Sequence, residues 1–414
     1  MTRALVVFED ECWRELRPLT DLVPVPALAF GASSLAARIA HAAGLPLAGI
    51  EARTGAIAAC RTLPATAPAD AGAEVIAVNA AALPGPWLRA LVSESGPAKF
   101  RSAGRIAAAR LTAEAARDAH GTADFGAALS AAPLKDHAVE PRWLDHPWQI
   151  IEWNAEAIAA DLAHQVPALR GDVHKSAVLL DDSRITVEPG ARVDPLAVLD
   201  ARGGPILVRK GAIIGAHTVV VGPCVVGEGT QLLGGVVTRT SFGKECRVAG
   251  EVEECVWQGF ANKRHHGFVG HSVIGEWVNL GALTTTSDLK NNYGEVRVVV
   301  DGRERATGSS KIGSFIGAHV KTGIGTLLPT GAAIGTGSNL FGGGRFAPKS
   351  LASFAWWDGQ RTVEHHFEQF VATARTAMSR RNETLDDKAA QALRELFEVT
   401  RRERSWAPEP QAAG

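Results

Sequence analysis

Apolar residues recur every six positions through the middle of the chain. A small or β-branched residue stands four places after each apolar one. An α-helix repeats its buried face about every 3.6 residues and a strand about every two, so a period of six fits neither. It is typical of one flat side of a triangular coil, in which three hexads make one turn of a left-handed parallel β-helix. The apolar series is Val208, Ile214, Val220, Val226 and Leu232, and the second series is Ala212, Thr218, Cys224, Thr230 and Val236.

The same period returns further along the chain, where glycine follows several of the apolar residues. We expect these glycines to lie at corners, where a positive φ lets the backbone turn tightly. The hexads together predict a β-helix of hexapeptide repeats within a domain of residues 166–349. The later positions are Ile274, Leu280, Ile316, Thr322, Leu328, Ile334 and Leu340, with glycine at 275, 281, 317, 323 and 335.

The regions on either side of the repeat have other periods. Residues 5–8 and 75–78 are short apolar runs and residues 33–41 have helical spacing, which together predict an α/β domain over residues 1–165. Helical patterns over 363–381 and 385–401 predict a C-terminal helical segment, residues 350–414. We expect this segment to cap the open end of the coil.

Composition and charge narrow the class of partner. Lys and Arg number 43 against 44 Asp and Glu, so no basic surplus exists to neutralise nucleic-acid phosphates. No run of 18 apolar residues predicts a membrane span, and the N-terminus becomes acidic after four apolar residues, unlike a secretory signal. These features predict a cytoplasmic protein with no nucleic-acid and no membrane partner. The five cysteines are scattered, which favours neither a disulfide framework nor a zinc site.

Two polar stretches interrupt the repeat. The first, residues 257–282, gathers two bases and three histidines, and the second, residues 284–297, is rich in hydrogen-bonding side chains. A rigid coil carrying such loops is a frequent place for function. A neutral imidazole can act as a general base, and Lys and Arg can hold a phosphate. The charged residues of the first stretch are Lys263, Arg264, His265, His266 and His271.

These stretches resemble a known family. Residues 262–293 are similar to the acetyltransferase half of the bacterial bifunctional N-acetylglucosamine-1-phosphate uridyltransferase and glucosamine-1-phosphate acetyltransferase, the GlmU-like family. A divergent branch named for sugar nucleotidyl transfer is closer still, and the resemblance covers nearly the whole chain. The branch is similar at Phe8–Asp10, Leu16–Thr20, Gly267–Ser272, Leu289–Gly294 and Phe341–Gly344.

The resemblance implies acetyl-CoA as acyl donor, an amino sugar phosphate or nucleotide sugar as acceptor, and a homotrimer with sites between neighbouring coils. The family's catalytic histidine falls on His265, with His266 and His271 as alternatives. Phe268 stands where the family has a tyrosine, so Lys263 and Arg264 are the candidates to hold the sugar phosphate. Other implied contacts are Asn279, Asn292 and Tyr293 with the sugar, and Ala282, Ala318 and Thr336 with coenzyme A.

The resemblance also implies Mg²⁺ and a nucleoside triphosphate in the N-terminal domain, where the match is poor. Nucleotidyltransferases place a glycine-rich loop after the first strand, but here Glu9 and Asp10 occupy that place, and Asn79 stands where a magnesium-binding aspartate is expected. Active nucleotidyl transfer, a binding or regulatory remnant and pure scaffolding all stay open. Residues that could line a nucleotide pocket are Asp10, Arg14, Arg17, Thr20 and Arg38.

Two functions of other classes compete with acyl transfer. Repeat coils also serve as trimerisation modules, so a non-catalytic trimeric scaffold or a regulatory sugar-nucleotide-binding protein is the first alternative. A metal-dependent hydratase is the second, with His265, His266 and His271 as zinc ligands. The resemblance favours neither, and we expect no metal at the acyl-transfer site.

Overall fold

A computed structural model describes residues 3–66, 73–120, 122 and 124–404, so the end of the predicted C-terminal segment, 405–414, lies outside the described residues. The chain forms two compact units. The first comprises residues 1–16, 23–29 and 33–146, and the second comprises 17–22, 30–32 and 147–414. The three-domain division stays a prediction. No helix among the described residues is long and apolar enough to cross a membrane.

The first unit is an α/β layer, as predicted. Its main sheet has six strands in the order β4-β1-β5-β8-β7-β9, with β1 parallel to β4 and β5, and β8 antiparallel to β5. The strands are β1 (Arg3–Phe8), β2 (Ala29–Phe30), β3 (Ser33–Ser34), β4 (Leu47–Glu51), β5 (Glu74–Asn79), β6 (Ala82–Leu83), β7 (Ala98–Ser102), β8 (Arg105–Leu111), β9 (Asp136–Ala138) and β10 (Arg142–Trp143). The helices are α1 (Leu35–Ala43), α2 (Thr54–Ala59), α3 (Pro86–Ser93), α4 (Ala113–His120) and α5 (Phe125–Ala131), with 3₁₀ turns at Glu11–Leu16 and Val25–Ala27.

The ends of two neighbouring parallel strands bring the polar residues of this unit together. Strand β1 ends at Phe8, which packs against Phe125 with ring centroids 5.6 Å apart, and Glu9 and Asp10 follow directly. Strand β5 pairs with β1 and ends at Asn79. In open α/β sheets, ligands bind beyond the carboxyl ends of such strands, so this edge is the place to look for a nucleotide.

The second unit is a parallel β-helix of about ten turns over residues 172–357, entered through helix α6 (Pro147–Leu162). This confirms the left-handed hexapeptide-repeat prediction. The strands are β11 (Asp172–Val173), β12 (Val178–Leu180), β13 (Ile185–Val187), β14 (Arg192–Val193), β15 (Val198–Asp200), β16 (Ile206–Val208), β17 (Ile213–Ile214), β18 (Thr218–Val221), β19 (Cys224–Val226), β20 (Gln231–Thr238), β21 (Ser241–Phe242), β22 (Arg247–Glu253), β23 (Val256–Trp257), β24 (Asn262–Lys263), β25 (Phe268–Gly270), β26 (Val273–Ile274), β27 (Thr285–Thr286), β28 (Arg297–Val300), β29 (Arg303–Ala306), β30 (Ser314–Ile316), β31 (Lys321–Thr322), β32 (Leu327–Leu328), β33 (Ala332–Ile334), β34 (Asn339–Leu340), β35 (Ser350–Leu351), β36 (Ala355–Trp357) and β37 (Thr362–Glu364), with a 3₁₀ turn at Asp182–Arg184.

The inward positions of the coil match the predicted hexads with one exception. Val208, Ile214 and Leu232 are among the buried series, each no more than 1% exposed. Val236, predicted as a small inward position, is 43% exposed. The register of β20 against β22 shifts between Leu232 and Gly235, so Val237 takes the buried place instead.

The glycines after the later hexads have a different role from the predicted one. None of the five has a positive φ. A Cβ at Gly275 would instead lie 2.7 Å from the carbonyl oxygen of Ile316, and one at Gly335 would lie 2.3 Å from the backbone nitrogen of Ser353. Gly275 and Gly335 are therefore glycine because successive turns approach closely, and the expected corner conformation was wrong for all five.

One face of the coil stacks polar residues directly above one another, and we call this stack the amide column. Parallel pairing aligns Asn262 with Asn279, Asn279 with Lys321, and Lys321 with Asn339. The next residue along each strand points inward, as at Lys263, which pairs with the buried Val248. Lys321 follows Asn279 by 42 residues because the chain leaves the coil to form the antiparallel hairpin of β28 and β29 before returning.

Two C-terminal helices pack against the last turns of the coil. They are α7 (Phe367–Ser379) and α8 (Asp387–Val399), followed by a 3₁₀ turn at Arg401–Glu403. The Asp386 side chain caps α8 by accepting a hydrogen bond from Ala389 N at 2.8 Å. Phe354 of the coil makes edge contacts with Phe370 and Phe397. The first predicted helix starts later than expected, because residues 362–364 pair with β36 as strand β37.

Candidate active site

A cavity of about 600 Å³ opens between the amide column and helix α7. Ligand pockets commonly measure about 300–1,000 Å³, so this one can accept a molecule of sugar-phosphate size. Asn279 and Lys321 line it from the coil, His265 from the turn after β24, and Thr373 and Arg381 from the C-terminal helical region. The helical cap therefore contributes part of the wall.

Lys263 fixes the turn that carries His265. Its side chain is fully buried inside the coil, and its ammonium donates hydrogen bonds to the carbonyl oxygens of His265 at 2.5 Å and His266 at 2.6 Å. Burial lowers the pKa of Lys263 to about 8. The side chains of Arg264 and His265 are exposed on the outside of the same turn and line the cavity. The structure thus places Lys263 in the coil interior and away from the predicted phosphate contact.

Asn279 takes part in a hydrogen-bonded ladder and also faces the cavity. Asn262 Nδ2 donates to Asn279 Oδ1 at 2.6 Å, and both residues line the cavity. That contact fixes the orientation of the Asn279 amide, so its NH₂ group is the half that lacks this partner. An oriented amide beside His265 suits the positioning of a sugar hydroxyl.

Two cavity residues were missed by sequence reasoning. Lys321 is stacked between Asn279 and Asn339, and Arg381 follows the end of α7. The signal for Lys321 was its place next to the inward Thr322, but only knowledge of the hairpin excursion puts it beside Asn279. Arg381 reaches the site because α7 packs against the coil. The local sequence around Arg381 does not indicate this packing.

The remaining predicted contacts lie away from the cavity. Tyr293 is 74% exposed, and Asn292 Oδ1 accepts a hydrogen bond from Gly294 N in the loop that precedes the hairpin. Ala282 is half-buried, and its carbonyl accepts a hydrogen bond from Gly325 N. Ala318 and Thr336 are buried, at 4% and 0% exposure. These sugar and coenzyme A contacts therefore stay predictions.

His271 belongs to a charge network instead of the cavity. Its Nδ1 lies 2.8 Å from Asp288 Oδ2 and its Nε2 lies 3.4 Å from Glu254 Oε2. Burial alone would lower the pKa of His271, but the hydrogen bonds with Asp288 and Glu254 raise it to about 9. A histidine that is protonated at neutral pH cannot serve as the general base, which leaves His265 and His266 as candidates.

The same network includes the side chains best placed to bind a metal ion. Glu253, His271 and Asp288 bring one ligand atom each within 4.8 Å of one another. Lys311 lies 3.3 Å from Glu253, and Arg239 lies 3.0 Å from Glu254. With His271 protonated, three cations balance three carboxylates, so the cluster is already neutral. His271 also faces these acids and not His265, which argues against the three-histidine zinc site.

At the acidic edge of the first unit, the carboxylates of Glu9 and Asp10 accept hydrogen bonds from other residues of the same unit. Glu9 accepts from Val25 N at 3.0 Å and from Arg53 N and Nε at 2.8 Å. Asp10 accepts from Arg105 Nε and Nη2 at 3.0 and 3.1 Å and from Asn79 Nδ2 at 2.8 Å. The backbone and guanidinium donors that could bind a phosphate are thus occupied by a side-chain carboxylate.

A magnesium nucleotide does not fit these residues. The cavity beside Glu9 and Asp10 measures about 130 Å³, below the size of ordinary ligand pockets. Asn79 is oriented by Asp10, and its Oδ1 accepts a hydrogen bond from Ala81 N. Arg17, another candidate for the nucleotide pocket, belongs to the second unit, where it pairs with Asp21 and Asp301 at 2.7 Å.

The architecture defines a nucleotidyltransferase-like unit followed by a left-handed β-helix of the hexapeptide-repeat class. Residues 5–165 match the family model described as sugar nucleotidyl transferase. Over 93 residues the chain is 40% identical to a bifunctional sugar-1-phosphate nucleotidylyltransferase/acetyltransferase of Sulfurisphaera tokodaii, which covers 22% of this chain and 23% of the relative. It is 26% identical over 195 residues to bifunctional protein GlmU of Methanococcus aeolicus, covering 46% of this chain and 41% of the relative.

These matches confirm the resemblance inferred from the sequence, and the Sulfurisphaera relative is a transferase by name. The chain spans less than half the length of either relative. Among solved structures, AntD, an N-acyltransferase from Bacillus cereus, aligns at 14% identity and a TM-score of 0.16 over 50% of this chain and 87% of AntD. UDP-N-acetylglucosamine acyltransferase from Campylobacter jejuni aligns at 13% identity and a TM-score of 0.21 over 56% of this chain and 82% of that enzyme.

Proposed function

We propose that the second unit catalyses N-acyl transfer from acetyl-CoA to the amino group of a sugar phosphate or nucleotide sugar. The observation that carries the proposal is the position of His265, exposed on the wall of a ligand-sized cavity beside an oriented asparagine and several cations. The names of the matched relatives support the same reaction class. We place the reaction in the cytoplasm, where acetyl-CoA is available.

His265 acts as the general base in this mechanism. As the sugar amine attacks the thioester carbonyl, a C–N bond forms, and the amine's proton passes to the imidazole. The C–S bond then breaks, and the coenzyme A thiolate leaves and takes up a proton. Lys263 supports the step indirectly, because it holds the carbonyl oxygens of the turn and so fixes where the imidazole stands. Asn279 orients the sugar beside it.

The working assembly is proposed to be a homotrimer, with Asn292, Tyr293 and the coenzyme A positions Ala282, Ala318 and Thr336 meeting a neighbouring coil. Tyr293 supports this part of the proposal, since a large aromatic side chain that is 74% exposed is available to contact a neighbouring coil. Measurement of mass in solution by light scattering tests the assembly. A monomer with full acyltransferase activity would contradict it.

The catalytic assignment is tested by replacing His265 with alanine. Release of coenzyme A thiol from acetyl-CoA is measured with glucosamine 1-phosphate, UDP-linked amino sugars and glucosamine as acceptors. Loss of a general base costs about 10² to 10⁴ in rate, so His265→Ala should lose at least about 100-fold in kcat. His266→Ala is the matched variant on the same turn. Retained activity in His265→Ala, with loss in His266→Ala, would reassign the base.

The scaffold alternative makes a separate prediction. A ligand that binds the folded state raises the unfolding temperature, so an acyltransferase should be stabilised by acetyl-CoA. A scaffold should show no shift with acetyl-CoA or with any amino sugar. Absence of both stabilisation and thiol release would favour the scaffold.

A further inference from the structure

Two cationic side chains on the cavity wall have no acceptor. Neither the Lys321 ammonium nor the Arg381 guanidinium makes a hydrogen bond or an ion pair with any described residue. Arg404 of the same unit is different, because it pairs with Glu364 at 2.8 Å. The side chains of Lys321 and Arg381 are both half-buried. A cation that is partly removed from water and has no partner is costly, so its retention needs a reason.

Lys321 is held in place by the coil. Its backbone pairs with Asn279 on one turn and Asn339 on the next, and both neighbours have neutral amide side chains. Burial lowers the pKa of Lys321 to about 8. An anion entering the cavity would restore the ordinary preference of this group for the charged form.

Arg381 stands at the opposite wall. Its Nε is buried and has no hydrogen-bond partner. Burial lowers the pKa of Arg381, and the nearby Arg247 lowers it further. Glu245, an acid that acts on Arg381 electrostatically, is already bonded to Arg247 Nη2 at 2.8 Å.

The charges around the cavity all have one sign. Arg264 and Arg380 also line it, and no Asp or Glu is found among the described residues of its wall. Arginine presents a fork of donors that matches a phosphate, and lysine adds a compact charge. Because four cations meet no carboxylate, the missing partner is an anion supplied by the ligand.

We propose that Lys321 and Arg381 bind a phosphate group of the ligand, so that the coil and the C-terminal helical segment close on it together. The inference rests on the proposed function and deepens it by assigning the phosphate contact to these two residues in place of Lys263. The phosphate comes from one of two sources, the acceptor sugar or coenzyme A. In either case, a ligand that lacks the phosphate binds much more weakly.

The test uses the full-length protein and measures binding without turnover. Isothermal titration compares glucosamine 1-phosphate with glucosamine, and coenzyme A with 3′-dephospho-coenzyme A, for the wild type, Lys321→Met and Arg381→Gln. Each variant should bind the phosphorylated member of one pair at least about 10-fold more weakly and leave its unphosphorylated partner unchanged. The pair that responds identifies the source. Arg375→Gln, an exposed arginine on α7 outside the cavity wall, is the matched control and should bind like the wild type.

Stability separates a ligand contact from a structural role. Removing a half-buried cation that has no partner should leave the unfolding temperature of the ligand-free protein unchanged or raise it. A lower unfolding temperature with unchanged phosphate affinity would overturn the proposal, as would equal affinity of the wild type for both members of both pairs. Phosphate selectivity without acyl transfer would defeat only the proposed function. Acyl transfer that is indifferent to the phosphate would defeat only this inference.

Discussion

The two polar sites of the molecule treat their charges in opposite ways. At the acidic edge of the first unit, Glu9 and Asp10 each accept three or more hydrogen bonds from the protein itself. In the β-helix cavity, the side chains of Lys321 and Arg381 donate none to any described residue. Charged groups that are already hydrogen-bonded within the protein are not available to bind a ligand. Charged groups without a partner in the protein are available to bind one. Only the second site therefore has charged groups available for a ligand.

The difference also appears in size. About 130 Å³ lies beside Glu9, and about 600 Å³ lies beside His265. The match of residues 5–165 to a sugar nucleotidyl transferase family describes the fold of the first unit, but fold alone is weak support for chemistry. Glu9 accepts the hydrogen bonds that a phosphate would need, so the donors at this edge of the sheet are already occupied by a side chain of the protein.

The strongest test of this comparison replaces Glu9. Glu9→Met leaves Val25 N, Arg53 N and the Arg53 guanidinium without their acceptor inside a buried site. Removing one partner of a buried ion pair costs about 3 kcal/mol or more, and we expect a loss of that size in the free energy of unfolding. Chemical denaturation followed by circular dichroism measures it. Glu11→Gln, an exposed acid two residues away, is the control and should change little.

The His271 network offers an intermediate case, because it lies in the second unit but is fully paired. Its folded pKa of about 9 exceeds the ordinary value of about 6.5, so its stabilising contribution is complete below pH 6.5 and is lost as the pH rises to 9. We expect the free energy of unfolding to fall by about 3 kcal/mol across that interval, because a shift of one pKa unit corresponds to about 1.4 kcal/mol. Asp288→Asn should lower stability at pH 6.5 and flatten the dependence. An unchanged slope in this variant would mean that His271 is not the titrating group.

The smallest expected effect is that of a nucleotide. UTP with Mg²⁺ should raise the unfolding temperature of the protein by less than about 1 °C, because Glu9 occupies the donors that the triphosphate requires. Acetyl-CoA in the same assay serves as the positive comparison. A shift of several degrees with UTP, absent in Glu9→Met, would show that the first unit still binds nucleotide and would end the contrast between the two regions.

The β-helix could be predicted because the residue types within each hexad indicate which positions face the interior of the coil. Val208 and Ile214 face inward for reasons contained within a few residues. The exception at Val236 arises from two glycines that shift the register, and neither residue signals this alone. The glycines at 275 and 335 were located correctly, but their cause was misread, since the contacts that require them come from the following turn.

The site was harder to predict because its parts meet through long-range packing. His265 and Asn279 could be proposed from local motifs. Lys321 reaches the cavity only after a 42-residue excursion, and Arg381 only through the docking of α7. Lys263 was predicted, with Arg264, to hold the sugar phosphate. Consecutive side chains of a strand point to opposite faces, so Lys263 points into the coil while Asn262 points outward. A sequence pattern does not predict a lysine at an inward position of the repeat, where an apolar residue is expected.

Lys263 has a consequence for any effort to regularise this repeat. It occupies a position that the hexad pattern assigns to an aliphatic residue, so consensus redesign would replace it with leucine or valine. Such a coil would be more uniform and would avoid burying an ammonium group. The carbonyl oxygens of His265 and His266 would then lose their shared anchor. The irregularity that a designer would correct first is the one that fixes the turn carrying the His265 imidazole.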